Sequence, residues 1–463
     1  MPSHVKGSLD PVVMMVLVVL AAMVLTYFVG AGRFDRVGDV VVPGTYHAMP
    51  KTGGLTALLS TKVTAPKPGA KSASAAGLVA AFAAVPAGLV RNAALVVLVL
   101  LVGGMFGVLR ATGAIDAGVD RLIHATGGNK FVLIPVMMLT LGLGSTFLGF
   151  ISEYLVVIPI VALVGDRLGY DRIFAVALVG IAAKIGYATS VTNPLALVVA
   201  QPLAHVPLFS GMGFRLALFV IFITLGIGYA LYMLRPVRPP EAATAAQTAP
   251  LSPRHLGVLL CLLLAGIAMV AGFVYFGWTE NEVSTFYVFL SLVFAVVGGL
   301  KARVASHAFV SGLQSMMLAA LLIGLAGSVE ILLRNSFVLD TLIADATDLL
   351  HSQSGFVTAN GLMLIEMALG VLIPSTAGKV AVSIPILAPI AHLSGVTGQT
   401  TVLAFILGNG LCNMVTPTSG MLLAYIAASK VGYGEWIRFI APLFAVMLVI
   451  GAAALGVAVA TGY

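Results

Sequence analysis

Charged side chains are scarce in this chain of 463 residues: Asp, Glu, Lys and Arg make up 9%, whereas hydrophobic residues make up 60%. Such a composition leaves too little polar surface to cover a water-soluble globule of this length. A mean hydropathy of +1.09 points the same way. The composition therefore predicts a multi-pass protein that uses lipid as its solvent, and we expect it in the cell inner membrane.

Cysteines and metal-binding patterns are also scarce. Only Cys261 and Cys412 occur, each inside an apolar run, which excludes a disulfide framework and a cysteine metal site. The eight histidines show no His-x-x-x-His or Glu-x-x-His spacing, and Gly-x-Ser-x-Gly and His-Glu-x-x-His patterns are absent. We therefore expect no enzyme, no catalytic residue, no metal and no cofactor.

Positive charge exceeds negative charge, with a formal net charge of +7 and a pI near 9.4. The lysines and arginines are scattered between apolar stretches, which is typical of topology signals and not of a nucleic-acid-binding surface. The expected partners are the lipid bilayer and a small solute, without nucleic acid. The N-terminus is expected on the cytoplasmic side, and Trp278 and Trp436 are expected to anchor the membrane interface.

Apolar stretches of about 20 residues predict about nine full membrane spans. They are 11–30, 92–110, 173–204, 214–233, 256–277, 284–300, 308–330, 400–429 and 436–460. The stretches 173–204 and 400–429 are each interrupted, which predicts two broken helices. Segment 1–30 thus holds the first helix, and 31–91 is expected to form an extracytoplasmic excursion that ends in an amphipathic segment. A cytoplasmic linker at 234–255 and a connecting helix at 256–283 would follow the first half.

Two further apolar stretches, 131–165 and 359–391, are split near the middle by Gly, Ser or Pro. Each arm then has about 13 to 15 residues and reaches about 20 Å, less than the roughly 30 Å hydrocarbon core. An arm that cannot cross must turn back. These stretches therefore predict re-entrant helical hairpins, with turns at 142–149 and 374–378.

The two halves of the chain repeat one pattern in two registers. Two pairs are separated by 226 residues and three by 223, namely Pro159 with Pro385, Gly169 with Gly395, Pro194 with Pro417, Gly211 with Gly434 and Arg215 with Arg438. An odd number of crossings between the hairpins inverts the second unit. The prediction is an all-α polytopic membrane protein with two inverted repeats at 92–233 and 284–463, each with a hairpin and a broken helix. Inverted repeats are a signature of alternating access.

Four motifs resemble the YfcC/DcuC-like family of anaerobic C4-dicarboxylate carriers, within the wider ion transporter superfamily. They are Leu168-Gly-Tyr-Asp-Arg172, Ser190-Val-Thr-Asn-Pro194, Pro374-Ser-Thr-Ala-Gly-Lys379 with Pro385-Ile-Leu-Ala-Pro389, and Asn413-Met-Val-Thr-Pro-Thr-Ser-Gly420. The resemblance covers most of the chain. It implies a fold of two inverted repeats and organic-ion transport.

The resemblance implies a secondary active transporter of small organic ions, with C4-dicarboxylates or related carboxylates as the expected substrate class. A carrier or exchanger of basic amino acids of the arginine or ornithine type, or of other amino acids or peptides, is the alternative. A channel or membrane enzyme is a more remote one. Symport with Na+ or H+, antiport and homodimer formation stay open.

Broken helices supply the candidate site, because freed backbone groups inside a bilayer must face a cavity or another polar group. The substrate-binding candidates are Ser190, Thr192, Asn193, Asn413, Thr416, Thr418, Ser419 and Lys379. Hydroxyl and amide groups suit carboxylate oxygens or Na+. The alternative is that these Ser, Thr and Pro residues only kink the helices.

The ion-coupling candidates are Glu153, Asn193 and Asn409. Glu153 and Lys379 fall 226 residues apart, so the two hairpins carry opposite charges at equivalent places. Buried charges in a membrane are costly, so each should be paired, hydrated or functional, although either could snorkel from a hairpin tip. The family resemblance implies an acidic residue where this chain has Asn409. Lys184 is expected to meet the substrate charge or to pair with Glu153.

Overall fold

The computed structural model describes residues 11–38, 40–60, 72–237, 252–350 and 353–463. Helices dominate these ranges, because a helix satisfies its own backbone hydrogen bonds in lipid. The expected all-α polytopic membrane fold is confirmed. Most of the predicted linker, 238–251, lies outside the described residues, as do 1–10 and 61–71 of the N-terminal region.

The described residues of the first half form ten helices. They are α1 Pro11–Phe28, α2 Leu55–Leu58, α3 Leu78–Arg91, α4 Ala93–Ala111, α5 Ala114–Thr126, α6 Lys130–Leu143, α7 Val157–Arg167, α8 Ile173–Thr189, α9 Pro194–Leu203 and α10 Met212–Met233. Between α6 and α7 the chain forms a π-helical turn, Gly144–Leu148, and a 3₁₀ turn, Ser152–Leu155.

The second half contains nine helices within the described residues. They are α11 Pro253–Phe276, α12 Glu280–Val297, α13 Ala302–Asn335, α14 Val338–Asp348, α15 Gly355–Leu372, α16 Thr376–Leu393, α17 Gly398–Val415, α18 Gly420–Ser429 and α19 Tyr433–Thr461.

Six short strands interrupt the N-terminal polar segment. They are β1 Ala31–Arg33, β2 Arg36–Val37, β3 Val40–Val41, β4 His47–Met49, β5 Lys51–Thr52 and β6 Ala73–Ser74. Strands β1 and β4 pair antiparallel, as do β2 and β3, whereas β5 and β6 pair parallel. Asp340 of α14 connects this segment to the helices. Its carboxylate accepts a hydrogen bond from Phe34 N and forms an ion pair of 2.6 Å with Arg36.

Eight helices of the described ranges are long and apolar enough to cross a membrane. The eight include one arm of each hairpin, Lys130–Leu148 and Gly355–Leu372, which the expected count of about nine left out. Other helices that lie within predicted spans, such as α8 in 173–204, have fewer than 18 residues and are not among the eight. The expected and the observed spans therefore differ both in number and in which helices are counted.

The second hairpin has longer arms than the sequence predicted. Helices α15 and α16 have 18 residues each, or about 27 Å, so the expected arms of about 13 to 15 residues were too short. Pro385 and Pro389 lie inside α16 without ending it. Prolines are tolerated in this way where neighbouring groups satisfy the freed carbonyls. Arm length alone thus does not force this hairpin to turn back, and its re-entrant path stays a prediction.

The broken helices form the centre of the molecule. All residues of α8 from Phe174 to Thr189 are buried, and α8 packs against α17. Both arms of each hairpin pack on the broken helix that follows them in the chain. Around this centre, α4 packs on α13, with α12 against α4 and α3 against α13. The contact of α3 with α13 is thus matched by the contact of α12 with α4, as two repeated units would require. The inverted orientation of the repeats stays a prediction.

Close contacts of α8 with α17 and with α6 depend on glycine. A Cβ added to Gly410 would lie 2.3 Å from Ala188 Cα, and a Cβ on Gly186 would lie 2.6 Å from Gly142 O. Both obstacles are backbone atoms, which cannot rotate away. Small residues at such crossings let membrane helices approach closely.

We expect Gly410→Ala to destabilise the protein by about 1 to 3 kcal/mol through overpacking of the α8–α17 contact. Thermal unfolding of the purified protein in detergent measures the effect. Gly228→Ala is the matched control, because a Cβ at Gly228 meets nothing within 4 Å. Equal melting temperatures for the two variants would contradict the proposed packing.

Candidate functional site

The first helix break is stabilised by its own side chains. Ser190 follows α8 with a φ of 38°, in the left-handed region that non-glycine residues rarely adopt. Its Oγ donates a hydrogen bond of 2.5 Å to Tyr187 O and accepts one of 3.2 Å from Asn193 Nδ2. Helix α9 then begins at Pro194, a favourable first residue of a helix. Ser190 and Asn193 therefore shape the break.

The tip of the first hairpin supplies partners for the freed backbone of this break. Val191 N donates to Thr146 Oγ1, and Thr192 N donates to Thr146 O, both at 3.1 Å. The hydroxyl of Thr192 donates to Phe147 O at 3.0 Å. Buried Arg215 donates from Nη2 to Val191 O at 3.1 Å. These contacts already occupy Thr192, which we predicted to bind substrate.

At the second break, α17 ends at Val415 and α18 begins at Gly420. The Thr416 and Thr418 hydroxyls lie 2.8 Å apart, and Ser419 Oγ accepts a hydrogen bond from the first turn of α18. Trp436 Nε1 donates to Met414 O at 2.8 Å. Trp436 is fully buried, so the expectation that it anchors the membrane interface is wrong.

Asn409 connects three elements near this break. Its Oδ1 accepts hydrogen bonds from Lys379 Nζ at 2.6 Å and from Asn413 Nδ2 at 3.1 Å. Its Nδ2 donates to Tyr187 OH at 2.9 Å and to Thr376 Oγ1 at 3.3 Å. Tyr187 belongs to α8, whereas Lys379 and Thr376 belong to α16. The Asn409 amide thus joins the first repeat to the second hairpin.

Lys379 is fully buried and already engaged. Besides Asn409, its Nζ contacts Glu366 O at 3.4 Å. Neither Lys379 nor Asn409 is among the residues that line the cavity between the hairpin tips and the broken helices. The substrate-binding role expected of Lys379 stays a prediction.

Glu153 is 7% exposed and uses both carboxylate oxygens to close the tip of the first hairpin. Its Oε2 accepts from Ile151 N and its Oε1 from Ser152 Oγ, each at 2.9 Å. No ion pair within 4.0 Å joins Glu153 to Lys184 in this structure, so the pairing considered for Lys184 is absent. The ion-coupling role expected of Glu153 stays a prediction.

A cavity of about 420 Å³ lies where both hairpin tips meet both broken helices. Its wall includes Lys184, Asn413 and Ser419 from the predicted site. Other lining residues were not predicted, among them Tyr187 and Ser152, together with Arg91, Asn92, Glu280, Ile323, Pro374, Ser375 and Thr376. The remaining predicted residues are not among those that line it; they are Ser190, Thr192, Asn193, Thr416, Thr418, Lys379, Glu153 and Asn409.

Lys184 carries a positive charge without a polar protein partner. Within the described part of the chain its ammonium has no hydrogen bond or ion pair, and its contact is with the Tyr425 ring, 5.9 Å from the centroid. The other cation on the wall, Arg91, donates to Glu330 at 2.6 Å. Arg334 binds the same carboxylate at 3.0 Å. Lys184 is thus the cation of this wall that has no polar partner among the described residues.

A profile of the family described as C4-dicarboxylate anaerobic carrier matches residues 10–460. The chain belongs to this family. This carrier is therefore a membrane transporter and not an enzyme, and the family resemblance seen in its motifs is confirmed.

Two curated relatives align with about three quarters of this carrier. A protein of Escherichia coli strain K12 named "Putative basic amino acid antiporter YfcC" is 29% identical over 380 residues, covering 77% of this chain and 75% of the relative. A protein of Haemophilus influenzae named "Uncharacterized protein" is 26% identical over 382 residues, covering 79% and 75%.

Two solved transporter structures are also similar to this carrier. The YdaH transporter of Alcanivorax borkumensis has a TM-score of 0.45 at 19% identity, covering 98% of this chain and 99% of its own. MtrF of Neisseria gonorrhoeae has a TM-score of 0.43 at 18% identity, covering 97% and 95%.

We expect Asn409→Leu to destabilise this carrier by about 3 to 5 kcal/mol, because it leaves the buried Lys379 ammonium without its closest partner. The double variant Asn409→Leu/Lys379→Met removes the charge together with its acceptor and should regain part of that loss. Melting temperatures of both variants and of Lys379→Met complete a double-mutant cycle. Additive losses in this cycle would show that the two side chains do not interact.

Proposed function

We propose that this carrier transports small organic anions with at least one carboxylate, most simply C4-dicarboxylates, by alternating access. The observation that supports the proposal is the unpaired Lys184 ammonium on the wall of the cavity between the hairpin tips and the broken helices. An ionisable side chain inside a membrane costs about 2.5 to 3.5 kcal/mol. No counter-ion among the described residues offsets this cost for Lys184. An anionic ligand bound in the cavity would offset it.

The size and chemistry of the cavity fit such a ligand. Small-molecule sites have volumes of roughly 300 to 1,000 Å³, and this cavity of about 420 Å³ lies near the lower end. Lys184 would form a charge-assisted hydrogen bond with one carboxylate. Tyr187, Thr376, Asn413 and Ser419 add hydroxyl and amide groups along the wall, which suit a second carboxylate or a hydroxyl substituent.

Alternating access then requires the cavity walls to move between two arrangements. The walls come from both repeats, with Lys184 and Tyr187 on α8 and Asn413 and Ser419 at the second break. A substrate that contacts both sides can favour one arrangement only through unequal contacts in the two states. Coupling to Na+ or H+, and exchange, are all compatible with such a cycle.

Transport of basic amino acids is the second candidate, because one relative bears a name of that kind. Glu280 gives the cavity wall one carboxylate that could attract a guanidinium or ammonium group. Lys184 would oppose such a ligand by charge repulsion. An anion is therefore favoured by the cavity itself, and arginine and ornithine serve as the decisive competitors in a binding test.

We expect succinate, fumarate or malate to raise the melting temperature of the purified protein, whereas arginine and ornithine do not. Ligand at 100 times its Kd stabilises by about 2.7 kcal/mol, which is a readily measured shift. Lys184→Met should abolish the shift, and Lys184→Arg should retain part of it. The control is Lys301→Met, since Lys301 is exposed before α13. A shift with arginine alone would favour the second candidate.

We expect Glu153→Gln to lower carboxylate uptake into proteoliposomes by about tenfold or more, since hydrogen bonds to a charged group contribute roughly 1.5 to 3 kcal/mol. The reason is that Glu153 holds the tip loop whose Ser152 lines the cavity. Glu282→Gln is the control, because Glu282 is an exposed carboxylate that caps α12. Normal uptake by Glu153→Gln with intact folding would remove Glu153 from the site.

A further inference from the structure

Glu366 is a buried carboxylate that the proposed substrate site does not use. It lies in α15, the first arm of the second hairpin, and is 1% exposed. Within the described residues neither carboxylate oxygen makes a hydrogen bond of standard geometry, and the Ser383 hydroxyl on α16 is the neutral polar side chain that acts on it. Buried polar groups nearly always have well-formed hydrogen bonds, so a buried carboxylate without one requires an explanation.

The surroundings of Glu366 contain one opposite charge. Among the described elements packed on α15, which are α13, α16, α17 and α19, Lys379 of α16 acts on this carboxylate electrostatically. No ion pair within 4.0 Å connects the two side chains, because Lys379 Nζ is directed to Asn409 Oδ1. Cys412 of α17 is the other titratable side chain near Lys379. On the α17 side, a Cβ added at Gly408 would lie 2.8 Å from Glu366 Cβ.

An ionised carboxylate in such a place would be unstable unless it gained a partner. Burial of an unpaired charge costs several kcal/mol, and a proton removes that cost. Sodium fits the place less well, because it needs several oxygen ligands and would be repelled by the Lys379 ammonium. The alternative partner for an ionised Glu366 is Lys379 itself, if its ammonium moves away from Asn409.

We propose that Glu366 carries the proton that couples transport to the proton gradient. In one state the carboxyl group is protonated and Lys379 binds Asn409, as in this structure. In the other state the O–H bond of the carboxyl group breaks, the proton leaves to water on one side of the membrane, and Lys379 pairs with the carboxylate. Protonation from the other side restores the first state.

The Asn409 amide can transmit this change to the cavity. Three of its partners, Tyr187, Thr376 and Asn413, line the cavity wall. When Lys379 leaves Oδ1, the amide loses its shortest hydrogen bond, and its bonds to these three residues change as well. The inference rests on the proposed carboxylate transport, since the coupled solute is the one bound beside Lys184.

Proteoliposomes in sodium-free choline medium, loaded with a pH-sensitive dye, test the proposal with labelled and unlabelled succinate. The unaltered protein is expected to change the internal pH when a succinate gradient is applied, and to accumulate succinate when a pH gradient is applied. Glu366→Gln is expected to lose both responses but to keep exchange of internal for external succinate. Glu366→Asp should keep part of the pH response, and Glu282→Gln should keep all of it.

A pH response that survives in Glu366→Gln would overturn the proposal. Net succinate uptake by the unaltered protein without a change of internal pH, or with a strict need for Na+, would overturn this inference but leave the proposed function. Absence of exchange for every carboxylate would overturn both. If Glu366→Gln does not fold, Glu366→Gln/Lys379→Gln removes both charges and is expected to show the same uncoupled exchange.

Discussion

The hydrocarbon core gives a freed backbone N–H or C=O no water to bind, and the centre of this carrier is organised by that constraint. Each broken helix exposes such groups, and each break finds its partners in a different way. At the first break, Thr146 and Phe147 at the tip of the first hairpin supply most of the hydrogen-bond partners. At the second break, Trp436 and Tyr433 of α19 donate hydrogen bonds to the carbonyls of Met414 and Val415.

The same constraint separates structural polar groups from those left for a ligand. The Ser190 hydroxyl is hydrogen-bonded within the first break, and the Thr192 hydroxyl is hydrogen-bonded to the first hairpin. The Glu153 carboxylate is hydrogen-bonded within the tip of that hairpin. Lys184 and Glu366 are buried ionisable side chains that make no hydrogen bond of standard geometry within the described residues. Lys184 lines the cavity, whereas Glu366 lies near Lys379. This arrangement is compatible with solute binding by one residue and ion coupling by the other.

Much of this organisation could be predicted from the sequence. Length and hydropathy predicted the membrane fold, the motifs predicted the family, and helix-breaking residues located the breaks before Pro194 and around Pro417. Arm length in the second hairpin was underestimated, because α15 begins at Gly355, before the predicted limit of 359, and α16 begins at Thr376, inside the predicted turn. The site was predicted in part, since a spacing shows that hydroxyl groups are close to a break but not what they bind.

Side-chain direction explains what was missed. Tyr187 lies three residues before Ser190 and on the cavity side of α8, but an aromatic residue in an apolar helix carries no polar signal of its own. Most buried acids are paired, and nothing in the sequence distinguishes Glu366 from such an acid. Glu330 follows that rule, with two arginines around its carboxylate, and Glu366 does not. Only a three-dimensional arrangement distinguishes the two.

The buried position of Trp436 also has a practical use. The chain has two tryptophans, and the indole of Trp436 is hydrogen-bonded to the last turn of α17, where the second break begins. Its emission therefore depends on the geometry of that helix end. With Trp278 replaced by phenylalanine, the chain would carry a single tryptophan, next to the second break, and rearrangements of that break could be followed in time through its fluorescence without an attached dye.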